Sequence, residues 1–361
     1  MYYKDDWPQA RERFLAFWEG EVVDRCCIAV QAPRDGSRYV RPEPPGSPAE
    51  LSRWWLNAED NLERMLAEFE GTYYGGEAYP ATTMCLGASV MAAFFGSRAE
   101  LRPETVWYHP VIEDWGSAIL SFDRTTDPLY RATIEATRYY AQESRDRYLV
   151  SLPELGSASD DLSLLRGMQP LVLDMIQEPS PVKAALSLLA DTWVELNEEL
   201  YAIAADANDG GCPIAWMQTW APGPHYQMSC DFSAVLSPAL FDEFIVPELR
   251  TYLQVNEFAV YHWDGPDAVK YLDSLLTIDG IDAIQWTQGA GSPPASDPRW
   301  IPLYRKIQAA GKRLILPFVE IDEVETLLSQ ISSRGLLIGT TARSEEEARS
   351  LLHQVERWTR N

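Results

Sequence analysis

The sequence is poor in positive charge and in histidine. Its 361 residues include 54 acidic but only 30 basic side chains, with four histidines and a formal net charge of −24. The phosphates of nucleic acids and anionic lipids repel so acidic a surface, so we expect no partner of either kind. No apolar run approaches the roughly 18–20 residues of a membrane span. The charged start also lacks the apolar stretch of a signal peptide, so we expect a soluble, cytoplasmic protein.

Several motifs that identify a particular chemistry are also missing. The five cysteines are an odd number, Cys26 and Cys27 are adjacent, and no C-x-x-C pair occurs. This pattern argues against a disulfide framework and against a structural zinc module. The sequence has no G-x-x-x-x-G-K, G-x-S-x-G or H-E-x-x-H motif, and the GAG at 289–291 is too short to bind a dinucleotide. We therefore expect no nucleotide cofactor.

Short apolar runs alternate with helical patterns along the whole chain. Hydrophobic residues make up 46% of the sequence, including thirteen tryptophans, which is ample for a large core. Runs of four to seven apolar residues bounded by turn residues are typical of strands buried on both faces. They fall at 25–31, 81–87, 147–152, 213–218, 257–262, 281–286, 312–317 and 335–340.

Proline pairs mark the starts of the helices between these runs. A serine or aspartate followed by proline predicts an N-cap with proline at the first helical position. Such pairs begin at Ser47, Asp127, Ser180, Ser237 and Asp297. Ser47 with Glu50 and Ser344 with Glu347 also fit a capping box. Ordinary helices, such as those expected at 128–146 and 181–206, fill the gaps between the strands.

Eight strand–helix units predict an α/β fold, the (β/α)8 TIM barrel. We expect an N-terminal helix at about residues 8–20 and the barrel over about 24–361, in a single domain. An open doubly wound sheet is the alternative. A barrel needs about 250 residues, so the additional length is expected in loop insertions. These are expected near 33–50, 96–126, 219–236 and 287–299.

The fifth apolar run ends in a histidine and an aspartate two residues apart. Barrel enzymes hold their active sites at the C-terminal ends of the strands, where His262 would lie. Side chains alternate along a strand, so His262 and Asp264 share one face while Trp263 points away. An imidazole and a carboxylate there can bind a divalent metal or act as a proton-transfer pair. A partly buried histidine oriented by a helix-capping aspartate is the structural alternative.

Other polar and aromatic side chains follow the remaining strand runs. We expect Asp231 to join His262 and Asp264 at the catalytic centre. Glu154 and Gln285 are expected to position the substrate. Trp220 and Trp286 are expected to wall the pocket. Cys230 is a candidate third metal ligand alongside Glu154 and Glu320, although a buried, inert cysteine is the alternative for Cys230. One cavity at the C-terminal face should hold His262, Asp264, Asp231, Glu154 and Trp286.

Several segments of the chain resemble the uroporphyrinogen decarboxylase superfamily. CDFSAVLSPALFDEFIVPEL at 230–249 resembles the segment before its fifth strand, and DDLSLLRGMQPLVLDMIQEPSPV at 160–182 resembles its arginine-glycine helix region. YHWDGPDAVKYLDSLLTIDGIDAIQW, from Tyr261, resembles its strand-5-to-6 unit. With ERFLAFWEGEVVDR at 12–25, the likeness covers nearly the whole chain. It implies a (β/α)8 barrel and one of two chemistries.

The decarboxylases of this superfamily hold substrate carboxylates with an Arg-Gln-Ala-Gly-Arg-Tyr motif near the N-terminus. VQAPRDGSRYVRPE at 30–43 echoes it, but residues are inserted and Val30 replaces the first arginine. A lyase acting on a tetrapyrrole or another polycarboxylate would grip its carboxylates with Arg34, Arg38 and Arg343. Convergence of these arginines inside the barrel mouth would favour decarboxylation.

The methyltransferases of the superfamily move methyl groups between corrinoid proteins and thiols or folates. Some hold zinc with a His-x-Cys pair and a distant cysteine after the eighth strand. Here His262 matches the histidine, Asp264 stands where the cysteine would, and Thr340 and Thr341 lie near the missing second cysteine. Both soft thiolate ligands are therefore absent, which weakens the preference for zinc and admits manganese or iron.

The resemblance to these relatives implies a methyltransferase that takes a small-molecule substrate and has a corrinoid protein as partner. The divalent metal, zinc or a similar ion, would be held by His262, Asp264 and Cys230. A metal-free pair, with Asp264 orienting His262 as general base, explains the same two residues. The protein could also form a homodimer. A non-catalytic, ligand-binding barrel is the second functional alternative, favoured if no charged groups converge in an open mouth.

We predict poor or absent decarboxylation of uroporphyrinogen. That substrate carries eight carboxylates, and carboxylates left unpaired in an acidic pocket are costly to desolvate. The measurement is the rate of coproporphyrinogen formation by the purified protein. Turnover at an ordinary enzymatic rate would contradict the prediction and favour the lyase.

Overall fold

A computed structural model describes residues 1–118 and 120–359 of the chain, which form a mixed α/β fold. The strands are β1 (Cys27–Pro33), β2 (Thr72–Gly76), β3 (Ala81–Thr82), β4 (Arg98–Leu101), β5 (Val106–His109), β6 (Leu149–Val150), β7 (Cys212–Ile214), β8 (Thr219–Ala221), β9 (Gln227–Met228), β10 (Ala259–Asp264), β11 (Ile281–Thr287), β12 (Arg313–Leu316) and β13 (Leu336–Thr341).

Helices precede, separate and follow these strands. They are α1 (Trp7–Glu19), α2 (Pro48–Leu56), α3 (Ala58–Gly71), α4 (Met91–Phe94), α5 (Pro128–Ser144), α6 (Ala158–Arg166), α7 (Met168–Gln177), α8 (Pro179–Ala204), α9 (Pro238–Leu240), α10 (Val246–Tyr252), α11 (Leu272–Thr277), α12 (Ile301–Ala309), α13 (Val324–Leu328) and α14 (Glu345–Trp358). Within the described residues, no helix is both long and apolar enough to cross a membrane.

A seven-stranded, mostly parallel sheet forms the centre of the fold. Its strand order is β2-β1-β13-β12-β11-β10-β9, and only the β1–β2 pair is antiparallel. A parallel pair, β3–β6, and two antiparallel pairs, β4–β5 and β7–β8, complete the strands described. The last strand, β13, pairs in parallel with the first long one, β1, as the ends of a barrel would.

The predicted strands are found, but their backbone pairing does not form a closed barrel among the described residues. Each of the eight apolar runs contains a strand, and the mostly parallel α/β arrangement is confirmed. The backbone ladders of the described residues do not join into one continuous ring, because β3–β6 and β7–β8 stand as separate short sheets. A side chain bridges part of this break: the Ser151 hydroxyl donates to the Pro213 carbonyl at 3.1 Å and accepts from the Ala215 amide at 3.1 Å.

The helix starts follow the proline pairs in most cases. The side chains of Ser47, Asp127, Ser237 and Ser344 each accept a hydrogen bond from the amide three residues on. Two of the predicted starts are wrong. Helix α8 begins before Ser180, at Pro179, and the Asp297 side chain closes a turn onto the Arg299 amide at 3.0 Å instead of capping a helix.

Residues on the two faces of the long strands belong to different apolar cores. Val260, Ala283, Ile315 and Leu337 point inward and pack with α1, whereas the residues beside them point outward to the surrounding helices. These inward residues lie in the N-terminal or middle part of their strands. Helix α1 therefore closes the N-terminal end of the strand array, which leaves the C-terminal ends free to carry polar side chains.

A buried ion pair anchors the start of β1. The Arg25 guanidinium donates to both carboxylate oxygens of Glu77, at 2.6 and 2.9 Å, and neither side chain is more than 4% exposed. Glu77 also accepts a hydrogen bond from the Ile28 amide at 2.7 Å. Removal of one partner would leave the other charge buried and unpaired, which costs more than the pair itself contributes.

Replacement of Glu77 by alanine is expected to lower the free energy of unfolding by roughly 3–5 kcal/mol, because it leaves the Arg25 charge buried without a partner. Denaturant unfolding followed by circular dichroism measures this change. Glu135→Ala is the matched control, since Glu135 and Arg131 form an exposed ion pair at 3.7 Å. The control should change stability by less than about 1 kcal/mol. Equal effects of the two substitutions would contradict the anchoring role.

Candidate active site

The C-terminal ends of β10 and β11 place four polar side chains on one face of the sheet. Parallel pairing sets His262 opposite Gln285 and Asp264 opposite Thr287. Residues paired in this way point to the same side, and Trp263 between them points to the other. The order of residues in two neighbouring strands thus builds a polar patch at the end of the array that α1 does not close.

Gln285 orients the imidazole of His262. The side-chain oxygen of Gln285 accepts a hydrogen bond from Nδ1 of His262, and its amide nitrogen donates to the Thr287 hydroxyl at 2.9 Å. Gln285 is completely buried, so its orientation is fixed. With the proton on Nδ1, the Nε2 atom of His262 carries a lone pair. That atom is free to bind a metal or to accept a proton.

Asp231 reaches the same patch from a separate loop. It begins a 3-10 helix, Asp231–Val235, and its carboxylate lies 3.7 Å from Nε2 of His262. The buried Asp160, in the first turn of α6, fixes this loop by accepting a hydrogen bond from the Phe232 amide at 2.8 Å. Asp231 therefore owes its position to a contact between segments about seventy residues apart.

Asp231, His262 and Asp264 form one cluster of potential ligands. One ligand atom from each lies within 4.8 Å of the other two. His262 is 14% exposed at its side chain and Asp231 is 59% exposed, so the cluster opens outward. One nitrogen and two carboxylate oxygens with an open side can hold a divalent metal together with a further ligand. Without a metal, the same atoms can take up and release a proton.

The carboxylates around His262 hold protons more tightly than free carboxylates do. Burial, opposed by His262 and assisted by Asp231, raises the pKa of Glu154 to about 6. Although the Asp231 side chain is 59% exposed, the protein packed around its carboxylate and the charges of Asp160 and Asp264, opposed by His262, raise its pKa to about 6. Titration near neutral pH is typical of acid–base groups in active sites, and also of crowded carboxylates that share a metal.

Trp216 is a site residue that the sequence reasoning missed. Its ring stands edge-on to the His262 imidazole, with centroids 5.1 Å apart, and its Nε1 donates to the Gln227 side chain at 2.7 Å. Trp216 follows β7 inside the fourth apolar run, where every second side chain is expected to point inward. Its contact with His262 could not be predicted from the sequence, because the two residues lie in different strand–loop units.

A cavity of about 700 Å³ adjoins the cluster at the mouth of the strand array. Trp216 lines it and also contacts His262, so this side chain connects the cavity to the cluster. Glu320, Thr340 and Thr341, which follow the last two long strands, line it as well. A cavity of this size fits a small organic substrate.

Two tryptophans predicted to wall this pocket do not do so. Trp286 points outward, opposite to Gln285, and packs on Trp263 and Trp300 with centroids 4.4 and 5.2 Å away. Trp220 lies in β8, which folds back antiparallel to β7, and its ring contacts Trp7 of α1 at 5.7 Å. Both are core residues: strand alternation turns Trp286 away, and the hairpin carries Trp220 to the closed end.

Cys230 lies next to Asp231 in the chain but outside the ligand cluster. Its thiol is buried and accepts a hydrogen bond from the Ser159 hydroxyl at 3.2 Å. Burial and the nearby carboxylates of Asp160 and Glu248 raise the pKa of this thiol well above its usual value. A metal-binding cysteine must be a thiolate, so this environment opposes the predicted ligand role.

The three arginines proposed to grip carboxylates do not line the mouth cavity. Arg34 donates to the Thr72 carbonyl at 3.1 Å, and Arg38 is exposed. Arg343 is 89% exposed, precedes α14 and pairs with Glu347 in the first turn of that helix. A different arginine, Arg41, lines the mouth cavity.

No protein-family model matches the chain, and no curated protein sequence matches it. Solved structures do match. One is a methyltransferase from Methanosarcina mazei, with a TM-score of 0.60 and 16% sequence identity over 97% of this chain and 98% of that chain. At this identity the likeness shows a shared fold along the whole length and does not by itself assign an activity.

Replacement of Glu154 by glutamine is expected to stabilise the protein at pH 8 but not at pH 4. The folded state raises the pKa of Glu154 from 4.5 to about 6, so folding favours the protonated form. Stability from this group is present below about pH 4.5 and is lost as pH rises through about 6. Thermal unfolding at the two pH values measures the difference. The exposed Glu63→Gln should show no such dependence, and a variant equal to wild type at pH 8 would contradict the prediction.

Proposed function

We propose that the protein is a methyltransferase-like enzyme that moves a methyl group between a corrinoid protein and a small acceptor. The observation that carries the proposal is the cluster of Asp231, His262 and Asp264 with Nε2 of His262 left free. The cluster lies beside the cavity at the C-terminal ends of the strands, which is the end where barrel enzymes hold their catalytic groups. The fold shared with the methyltransferase from Methanosarcina mazei supports the proposal.

The donor set of this cluster fits a divalent metal. His262 supplies the ring nitrogen Nε2, while Gln285 holds the other ring nitrogen, Nδ1, by a hydrogen bond. Asp231 and Asp264 supply carboxylate oxygens. Zinc accepts such ligands, and manganese or iron accept them as well, because no thiolate is present among them. A metal bound there would act as a Lewis acid toward an acceptor heteroatom.

The protein's own side chains have separate tasks around this centre. Gln285 fixes the tautomer of His262, and Asp160 fixes the loop that presents Asp231. Trp216 shields one edge of the imidazole from water. Glu154 does not line the mouth cavity, and its part in the site is electrostatic, because its charge interacts with those of His262 and Asp231.

An acid–base centre without metal uses the same residues in a different way. Nε2 of His262 would accept a proton from the acceptor, and Asp231, 3.7 Å away, would stabilise the imidazolium that forms. Asp231 takes the role in this alternative that the sequence suggests for Asp264, because the ion-pair contact of His262 is with Asp231. The metal content of the protein separates the two mechanisms.

The other candidate functions receive less support from the site. Decarboxylation of a polycarboxylate calls for cations in the pocket, whereas none of Arg34, Arg38 and Arg343 lines the mouth cavity, whose lining is acidic. A purely ligand-binding barrel would have no need to gather an imidazole and two carboxylates at one point.

The protein purified without a histidine tag is expected to contain about one divalent metal ion per chain, by analogy with open three-ligand sites. His262→Ala should remove it, while Cys230→Ser should leave the metal content unchanged because the thiol lies outside the cluster. Elemental analysis of the three proteins measures this. Substoichiometric metal that His262→Ala does not alter would exclude the metal mechanism and leave the acid–base one.

Methyl transfer itself can be followed with free methylcobalamin and small thiol or amine acceptors, through the absorbance change of the corrinoid. We expect demethylation that depends on His262. Gln285→Leu should reduce the metal affinity about 10- to 100-fold, because it removes the hydrogen-bond acceptor that holds Nδ1 and so orients the imidazole of His262 toward the metal. Absence of transfer to every acceptor, by metal-loaded protein, would contradict the proposed function.

A further inference from the structure

The mouth cavity presents two aromatic rings beside the His262 cluster. Trp216 and Phe318 both line it, with ring planes 14° apart and centroids 6.3 Å apart. Phe318 keeps 56% of its surface exposed. The site therefore offers ring surface, as well as the polar groups of the cluster, to a molecule that enters the cavity.

The charge around these rings is negative. Glu68 and Glu320 line the cavity, and Arg41 is the one cationic side chain among its described lining residues. Asp231 and Asp264 lie just beyond Trp216, next to His262. A divalent metal would balance those two aspartates, but Glu68 and Glu320 would still outnumber Arg41.

The cavity lining includes a strained residue. Gln218 has a positive φ of 55°, a left-handed conformation that non-glycine residues rarely adopt. Its amide nitrogen donates to the Ala215 carbonyl at 2.6 Å, and its side-chain oxygen has no hydrogen-bond partner among the described residues. Strain of this kind persists where the surrounding structure holds the residue in place, commonly at functional sites.

We propose that this cavity binds a small organic cation that carries methyl groups, a quaternary ammonium or a sulfonium ion. Trp216 and Phe318 would contact the methyl groups, and Glu68 and Glu320 would balance the positive charge. Such ions are weakly hydrated and bind to the negative faces of aromatic rings. The proposal rests on the proposed function, for which it names the chemical class of the methylated substrate.

The same features oppose other ligand classes. An anionic substrate would lose its hydration beside Glu68 and Glu320 with only Arg41 as partner. A neutral apolar molecule would gain the ring contacts but would leave the carboxylates without a counter-charge. The cavity volume of about 700 Å³ leaves room for a group larger than the methylated head.

Calorimetric titration at constant ionic strength tests the proposal with four probes. Tetramethylammonium, trimethylsulfonium and choline carry the cationic head, and 3,3-dimethyl-1-butanol is the neutral isostere of choline. We expect choline to bind more tightly than its isostere by about 3- to 30-fold, the range of a cation–π contact. Phe318→Leu should remove that preference, because it keeps apolar volume but loses the ring, and Phe318→Tyr should retain it.

The controls separate this proposal from the methyltransferase proposal. Trp107→Leu removes an equally exposed aromatic side chain outside the cavity lining and should leave choline binding unchanged. Equal affinity for choline and its isostere, or no binding of any cationic probe by protein that keeps its His262-dependent metal, overturns the cation site alone. Choline binding that depends on Phe318, in protein without metal or methyl-transfer activity, supports the cation site and contradicts the proposed function instead.

Discussion

The hydrogen bond between His262 and Gln285 is the contact on which the candidate site depends. Parallel pairing of β10 and β11 sets the two residues opposite each other, and burial holds the glutamine in one orientation. The proton is therefore kept on Nδ1, and the lone pair of Nε2 points toward Asp231. Without this contact the imidazole could rotate or change its tautomer, and the neighbouring carboxylates would lose the nitrogen that turns them into a ligand set.

The division of the strands into two faces supplies the setting for that contact. Bulky outward residues such as Trp263 and Trp286 pack against helices, so the inward face can end in polar groups without loss of the core. Helix α1 closes the opposite end with its own aromatic residues. The site is thus confined to one end, where loss of solvent contact and the charge of the buried Asp160 raise the pKa of Asp231.

Local sequence patterns were sufficient for eight of the thirteen described strands and for the central pair of the site. Alternation places His262 and Asp264 together because they belong to one strand. The same rule predicts that Trp286, next to Gln285 in the strand, points outward. Alternation alone therefore argues against Trp286 as a wall of the pocket. Trp220 was not predictable in this way, since the β7–β8 hairpin reverses the chain inside an apparent strand–loop unit. Trp216 and Asp160 act through contacts between distant segments, which no spacing along the chain reveals.

X-ray absorption of the zinc-loaded protein tests the central claim most directly, because it identifies the atoms bound to the metal. If His262, Asp231 and Asp264 are the ligands, the first coordination shell contains nitrogen and oxygen at about 2.0–2.2 Å and no sulfur. His262→Ala should abolish that shell. A sulfur contribution at about 2.3 Å would show that a cysteine, such as Cys230, binds the metal, and would contradict the assignment of the cluster as the metal centre.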